Sequence, residues 1–130
     1  MKSLTTFEAT CRPCGRHFSH PSLGDFAYGE TVLCSTSGKH CATVNAFTAV
    51  AQRVESTLAP SGHGELWKAL AALADQIDGE ALTASIRCPH CGSDDLVSWG
   101  GPSTGTRDVP EAGFEACALM SDADLRRLGR

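Results

Sequence analysis

The segment CPHCG, residues 88–92, decides how this chain folds, because the same spacing stands near the start of the chain as CRPCG, residues 11–15. A gap of two residues lets both sulfurs of one turn face a single ion, and the glycine that follows can reverse the chain at positive φ. Two such turns supply four thiolates, which is the number that a structural zinc site takes. The sequence therefore predicts one structural Zn²⁺ held by Cys11, Cys14, Cys88 and Cys91.

The paired motifs resemble the zinc-ribbon, or rubredoxin-like, family over residues 7–18 and 86–99. The resemblance implies two CxxC knuckles on adjacent β-hairpins that clamp one zinc, with the same four cysteines as ligands. The chain departs from the family in the long segment 15–87, which separates the knuckles. Rubredoxin iron uses the same ligand set, so the sequence leaves zinc and iron open.

Cys-Pro-His-Cys is also the active-site tetrapeptide of one group of disulfide-exchange enzymes. In those enzymes the motif opens a helix, whose N-terminus lowers the pKa of the first thiol. Here Gly-Ser-Asp-Asp and then a strand-like pattern follow Cys91. The sequence therefore favours a structural role for CPHCG over a redox role.

Composition indicates one zinc-stapled domain, residues 1–130, with a net charge of −4. The first ten residues contain no apolar signal-peptide core, and no run is long enough to span a membrane. Seven cysteines cannot all pair within one chain, so we expect reduced thiols, a cytoplasmic protein and no membrane partner. Frequent Ala, Gly and Arg favour a bacterial source with a GC-rich genome.

Hydrophobic periodicity predicts an α+β fold: small antiparallel zinc-ribbon β-hairpins, an inserted α-helical hairpin and a short C-terminal helix. The knuckles lie near 7–20 and 86–99, each predicted as strand, cysteine turn and strand. The helical insert is predicted over 44–83, with helices at 44–58 and 65–77.

Turn residues and caps predict the other elements. The segment ETVLCST, residues 30–36, favours a short strand. The Gly- and Pro-containing stretch 100–110 indicates a linker that begins a C-terminal extension over 100–130. Ser121 suits the cap of a terminal helix predicted over 121–128.

Three further residues carry metal-binding or nucleophilic groups: Cys34, His40 and Cys41. Their spacing matches no established ligand pattern, so we expect ordinary core or loop cysteines. Two alternatives stay open, namely a second metal site and a Cys–His catalytic pair. The residues available to complete such a site are His17, His20, His63 and Cys117.

The sequence favours a non-enzymatic zinc-binding module that acts as a protein–protein adaptor or modulator, because the net charge and the helical insert are acidic. One alternative is a nucleic-acid-binding zinc ribbon in transcriptional control, which would use basic residues near the knuckles. Another alternative is a Cys-dependent or metal-dependent enzyme that uses Cys34 or Cys117. The candidate basic residues are Arg12, Arg16, His17, Arg87 and His90.

Overall fold

The computed structural model describes residues 1–24 and 29–128; the side chain of His63, a candidate ligand, lies outside the described part. Within that part the chain forms two antiparallel sheets and four helices, which confirms the predicted α+β class. The strands are β1 (Lys2–Cys11), β2 (His17–Ser22), β3 (Glu30–Ser35), β4 (Cys41–Asn45), β5 (Leu82–Thr83) and β6 (Leu96–Val109). The helices are α1 (Ala49–Leu58), α2 (His63–Leu73), α3 (Glu115–Ala118) and α4 (Asp122–Leu128).

The first sheet has the strand order β2–β1–β6, with β1 in the centre. The CRPCG turn joins β1 to β2 as an antiparallel hairpin. On the other side of β1, Cys11 pairs with Leu96, the first residue of β6. The first cysteine turn therefore lies beside the segment that follows the second one.

The second sheet has the strand order β4–β3–β5. β3 and β4 form a hairpin in which Cys34 lies directly opposite Cys41. Both cysteines are buried in one cluster with Leu4 and Val109, which belong to the first sheet. The two sheets therefore pack against each other at the cysteine pair.

The main core lies where the helices pack on the second sheet. Apolar residues recur at three- and four-residue steps along α1 and α2, so each helix has one face to bury. The side chain of Thr48 caps α1 by accepting a hydrogen bond from the backbone N–H of Ala51 at 3.3 Å. The largest fully or nearly fully buried side chains of this core are Leu33, Val54, Leu66, Leu70 and Leu125.

Both predicted helices of the insert form, but the first begins later and the second ends earlier than the sequence predicted. The helix predicted over 44–58 begins at Ala49, because Val44 pairs with β3 as part of β4. The helix predicted over 65–77 is α2, which ends at Leu73. The insert 44–83 thus supplies strand residues at both of its ends and is helical only between them.

A tight turn follows α2. Ile77 and Glu80 exchange two backbone hydrogen bonds, of 3.0 and 2.9 Å, across Asp78 and Gly79. Asp78 and Gly79 both have positive φ, 50° and 78°. This is the geometry of a type I′ turn, for which Asp-Gly is a favoured sequence.

The stretch 100–110 is not the predicted linker: residues up to Val109 belong to β6, the longest described strand. β6 pairs with β1 from Lys2 opposite Val109 to Cys11 opposite Leu96, with several register shifts. Backbone groups make these hydrogen bonds, so the Gly- and Ser-rich composition conceals the strand. The predicted strand before the second cysteine turn is also wrong, because described residues 84–95 contain no strand.

Two short helices end the described chain. The helix predicted over 121–128 is confirmed as α4, and the Ser121 hydroxyl accepts a hydrogen bond from the backbone N–H of Asp124 at 3.1 Å. The sequence did not predict α3. Among the described residues, no helix combines the length and apolar character that a bilayer crossing requires.

Candidate metal centres

The first cysteine turn is closed by two backbone hydrogen bonds. The N–H of Gly15 donates to the carbonyl of Cys11 at 3.0 Å, and the N–H of Cys11 donates to the carbonyl of Arg16 at 3.0 Å. Gly15 has φ +70°, a value that costs a residue with a Cβ about 1–2 kcal/mol. The glycine therefore lets the chain return into β2 directly after the second cysteine.

The second cysteine turn repeats this conformation. The N–H of Gly92 donates to the carbonyl of Cys88 at 2.7 Å, and the N–H of Cys88 donates to the carbonyl of Ser93 at 2.9 Å. Gly92 has φ +77°. The two CxxCG motifs are thus one structural device used twice.

The four sulfurs of these turns converge. They all lie within 4.8 Å of one another. The Sγ atoms of Cys11 and Cys91 are 3.4 Å apart, and those of Cys14 and Cys88 are 3.7 Å apart. A tetrahedron with metal–sulfur bonds of about 2.3 Å has edges of roughly 3.8 Å. The four cysteines therefore fit the ligand set of one thiolate-bound metal ion.

The cluster lies at the edge of the protein. Cys11 and Cys88 are completely buried, whereas Cys14 and Cys91 are exposed. Ala9, Phe18, Ile86 and Leu96 pack around the buried pair and shield it from one side. An ion held here would have an apolar side toward the protein and a side toward solvent.

Backbone N–H groups in the turns stabilise thiolate. The N–H of Arg16, together with hydrogen bonds from the other three thiols, lowers the pKa of Cys14 to about 7, although desolvation opposes this shift. The N–H of Cys14 lowers the pKa of Cys11, but burial and hydrogen bonds with the other thiols outweigh it and raise that pKa to about 12. The N–H of His90 donates to the sulfur of Cys88 at 3.4 Å. Thiolate is the form that binds metal, so these donors favour binding.

The tip of the β3–β4 hairpin supports the second turn. A Cβ on Gly38 would lie 2.6 Å from the carbonyl oxygen of Arg87 and 2.7 Å from that of Cys88. The Arg87 guanidinium also donates to the carbonyl of Gly92 and to the hydroxyl of Thr83, both at 3.0 Å. No strand directly adjoins the second turn on its N-terminal side, so these contacts hold it in place.

The structure brings a second group of candidate ligands together: His20, Cys34 and Cys41, all buried. The Sγ of Cys34 lies 3.7 Å from Nδ1 of His20 and 3.8 Å from the Sγ of Cys41. The spacing of the cysteines did not predict this group. The alternation in β2, which buries Phe18 and His20 and exposes Ser19, is the signal that places His20 on the inward face.

The other residues considered for a second site lie elsewhere. His40 contacts Asp78 at 3.3 Å and Glu80 at 3.6 Å. Cys117 is buried in the helical core. His17 contacts Glu8 at 3.2 Å on the surface. None of these three residues joins either cysteine group in the described part of the chain.

The pKa values of the second group follow from its burial. Burial and the positive charge of Arg107 lower the pKa of His20 to about 4, so its imidazole is neutral at pH 7. The hydrogen bond between the two thiols, followed by burial, raises the pKa of Cys34. The same hydrogen bond lowers the pKa of Cys41. The two thiols of the pair therefore differ in acidity, with Cys41 the more acidic.

Three of the five basic residues near the cysteine turns face acids. The guanidinium of Arg12 lies 3.1 Å from a carboxylate oxygen of Asp95. That of Arg87 lies 3.9 Å from a carboxylate oxygen of Asp94, and His17 faces Glu8 as described. The positive charge predicted for a nucleic-acid surface is therefore largely compensated by neighbouring carboxylates.

Comparison of the chain with protein-family models, with curated proteins and with solved structures found no match in any of the three.

Proposed function

We propose that this protein is a non-enzymatic binding module built around one structural zinc, which Cys11, Cys14, Cys88 and Cys91 hold in the manner of a zinc ribbon. The observation that carries the proposal is the convergence of four sulfurs within 4.8 Å from two turns of the same conformation. Four thiolates and no exchangeable ligand are the donor set of a structural zinc site.

The zinc would supply stability that the local core lacks. Ala9, Cys11, Phe18 and Cys88 are the buried residues of this cluster, and two of them are the ligands themselves. So small a cluster stabilises little by hydrophobic burial. Structural zinc contributes about 10–16 kcal/mol in small zinc peptides at neutral pH, so the ion would dominate the stability of this end of the protein.

We propose an extended segment of another protein as the partner. Among the strands in residues 1–24 and 29–128, β6 is an edge strand of the first sheet, so one row of its backbone groups is available for pairing with an added strand. Val97 and Trp99 are 55% and 40% exposed on this strand, close to the second cysteine turn. Apolar side chains beside a free strand edge suit recognition of an extended peptide.

The charge distribution favours a protein partner over a nucleic acid. The net charge is −4, and the acids described above face most of the cations that lie near the cysteine turns. Nucleic-acid binding draws much of its affinity from uncompensated cations that displace counterions from phosphates.

The metal proposal is tested on the full chain by native mass spectrometry, with Cys88→Ser compared with Cys117→Ser. Both cysteines are fully buried, but only Cys88 belongs to the four-sulfur cluster. We expect Cys88→Ser to lose one zinc and Cys117→Ser to keep the wild-type zinc content. Equal zinc content in the two variants would contradict the proposal.

The partner proposal is tested by Val97→Asp, with Leu119→Asp as the matched control, since Leu119 is 89% exposed and belongs to the end of α3, not to β6. Proteins that co-purify with the tagged wild type from its source cells are identified and their affinities measured with purified material. We expect Val97→Asp to weaken the specific interaction at least tenfold and Leu119→Asp to leave it unchanged.

The same preparation is titrated with random-sequence DNA and RNA at low salt by fluorescence anisotropy. We expect no binding. Binding that weakens steeply as salt rises would replace the protein-partner proposal with the nucleic-acid one.

A further inference from the structure

We propose that His20, Cys34 and Cys41 form a second metal site, separate from the four-cysteine cluster, in which three protein ligands hold a divalent cation such as Zn²⁺ and a fourth position takes an exchangeable small ligand. The three ligands come from three strands: His20 from β2, Cys34 from β3 and Cys41 from β4. A metal ion there would join the first sheet to the second.

The distances fit tetrahedral coordination. The separation of the two sulfurs is 3.8 Å, and that of the Cys34 sulfur and the His20 Nδ1 is 3.7 Å. With metal–sulfur bonds of about 2.3 Å and metal–nitrogen bonds of about 2.0–2.1 Å, the expected edges are roughly 3.8 and 3.6 Å. Two of the three distances therefore match those that one ion requires, and the third, from the Cys41 sulfur to a ring nitrogen of His20, is no longer than 4.8 Å.

The surroundings of His20 also indicate a ligand. Its side chain is only 5% exposed and lies beside the apolar cluster that contains Leu4 and Val109. The His20 and Trp99 rings pack in a T-shaped, edge-to-face arrangement, with ring centroids 5.0 Å apart and an angle of 79° between the ring planes. A polar ring is costly to bury unless its nitrogens are bonded, and the partner of Nδ1 is a sulfur. Packing on one side and a thiol on the other fix the ring in a metal-binding orientation.

A fourth ligand would come from outside this group. In the described part of the chain, no further His, Cys, Asp or Glu joins it. A cleft of about 400 Å³ borders the group on the side of His20; its lining includes His20, Ile86 and Trp99 but neither cysteine. Three protein ligands with an accessible fourth position are the arrangement of zinc sites that bind water or substrate.

The charge near the group favours an anion as the fourth ligand. A dication bound by two thiolates and a neutral imidazole has no net charge. The Arg107 guanidinium donates a hydrogen bond to the backbone carbonyl of Lys39 at 2.9 Å, two residues before Cys41, so its positive charge lies near this group. A hydroxide, a small thiolate or an inorganic anion would therefore be preferred to a cationic ligand.

Native mass spectrometry of the full chain, purified with zinc under reducing conditions, tests the second site. We expect two zinc ions in the wild type and one in Cys34→Ser/Cys41→Ser. We expect one also in Cys14→Ser/Cys91→Ser, which removes the exposed ligands of the other cluster. His20→Gln should lose zinc from the second site, whereas His17→Gln, a change in the same strand outside both groups, should retain two ions.

The variants separate the failure of each site. One zinc in the wild type that persists in Cys34→Ser/Cys41→Ser overturns the second site and leaves the four-cysteine site standing. The opposite result is one zinc in the wild type, none in Cys34→Ser/Cys41→Ser and one in Cys14→Ser/Cys91→Ser. This result supports the second site and contradicts the four-cysteine site. A wild-type protein that binds one zinc and that, after acid removes the metal, is two hydrogens lighter than the fully reduced chain indicates a Cys34–Cys41 disulfide, which also overturns the second site.

The open fourth position is tested in Cys14→Ser/Cys91→Ser loaded with Co²⁺, where the second site alone can bind the ion. We expect its visible absorption to shift on addition of 2-mercaptoethanol or azide. An unchanged spectrum at saturating ligand would contradict an exchangeable fourth position.

Discussion

One glycine shows how closely the elements approach around the four-cysteine cluster. Gly38, at the tip of the β3–β4 hairpin, has φ +78° and lies against the carbonyl groups of Arg87 and Cys88. Gly79, in the turn after α2, has the same φ of +78°, but a Cβ there would meet nothing within 4 Å. The two glycines share the same φ and differ in their surroundings, so they form a matched pair.

We expect Gly79→Ala to lower the free energy of unfolding by about 1 kcal/mol, the cost of a left-handed conformation for a residue with a Cβ. Gly38→Ala should cost about 1–3 kcal/mol more, because the added methyl group overlaps backbone atoms of the second turn. Urea denaturation of the zinc-loaded proteins measures both values. Equal losses would show that the hairpin tip does not support the second cysteine turn.

At the scale of elements, α3 is held by tertiary hydrogen bonds at both ends. The carboxylate of Asp75 accepts hydrogen bonds from the N–H groups of Glu115 at 2.9 Å and Ala116 at 3.2 Å. At the other end, the guanidinium of Arg53 donates to the carbonyl of Cys117 at 3.2 Å and to that of Met120. A helix of four residues does not form in isolation, because the entropy lost in fixing its first turn exceeds the stabilisation from the hydrogen bonds of that single turn.

Arg53→Met removes these donors and keeps most of the apolar stem, so we expect a loss of about 1–3 kcal/mol in the free energy of unfolding. The Arg53 side chain is 31% exposed and also contacts Asp122 at 3.1 Å, so the loss should extend to the start of α4. Arg126→Met, an exposed change on α4, is the control and should cost less than about 0.5 kcal/mol. Hydrogen exchange faster than wild type in α3 and α4 of Arg53→Met alone would locate the effect; similar exchange in both variants would contradict it.

At the scale of the whole molecule, two regions differ in what holds them together. The helices and the second sheet share a core with many fully buried side chains, such as Leu33, Leu66 and Leu70. The region of the cysteine turns has the small cluster around Cys11 and Cys88. Hydrophobic burial therefore stabilises the first region, and metal binding would stabilise the second.

We expect removal of zinc from the four-cysteine cluster to open this end of the protein and leave the helical region folded. Hydrogen exchange of Cys14→Ser/Cys91→Ser should accelerate at the end of β1, at the start of β2 next to the first turn, in residues 84–95 and at the start of β6. His20, farther along β2, should stay bound to the second site. Amides of α1 and α2 should keep their wild-type protection, because their core contains none of these ligands. A chelator removes ions from both candidate sites of the wild type. Hydrogen exchange of the chelated wild type should therefore accelerate over a larger part of the chain than that of the variant, and it serves as the comparison. Uniform acceleration in the variant would contradict two separately stabilised regions.

The sequence alone determined the features that depend on short-range chemistry. The repeated CxxCG spacing indicated two equivalent turns, the periodic apolar residues indicated two packed helices, and Ser121 indicated the start of α4. Each signal lies within a few residues of the structure that it predicts. Local steric preference and side-chain spacing are sufficient for such features.

Only the tertiary structure decided the features that depend on distant partners. β6 exists because β1 lies beside it, and its Gly- and Ser-rich composition gives no local sign of a strand. α3 exists because Asp75 and Arg53 bind its ends. His20, Cys34 and Cys41 meet because two sheets pack face to face, and no spacing along the chain records that contact. Pairing between strands far apart in the chain is settled by the packing of the whole fold, so a single sequence leaves these features undetermined.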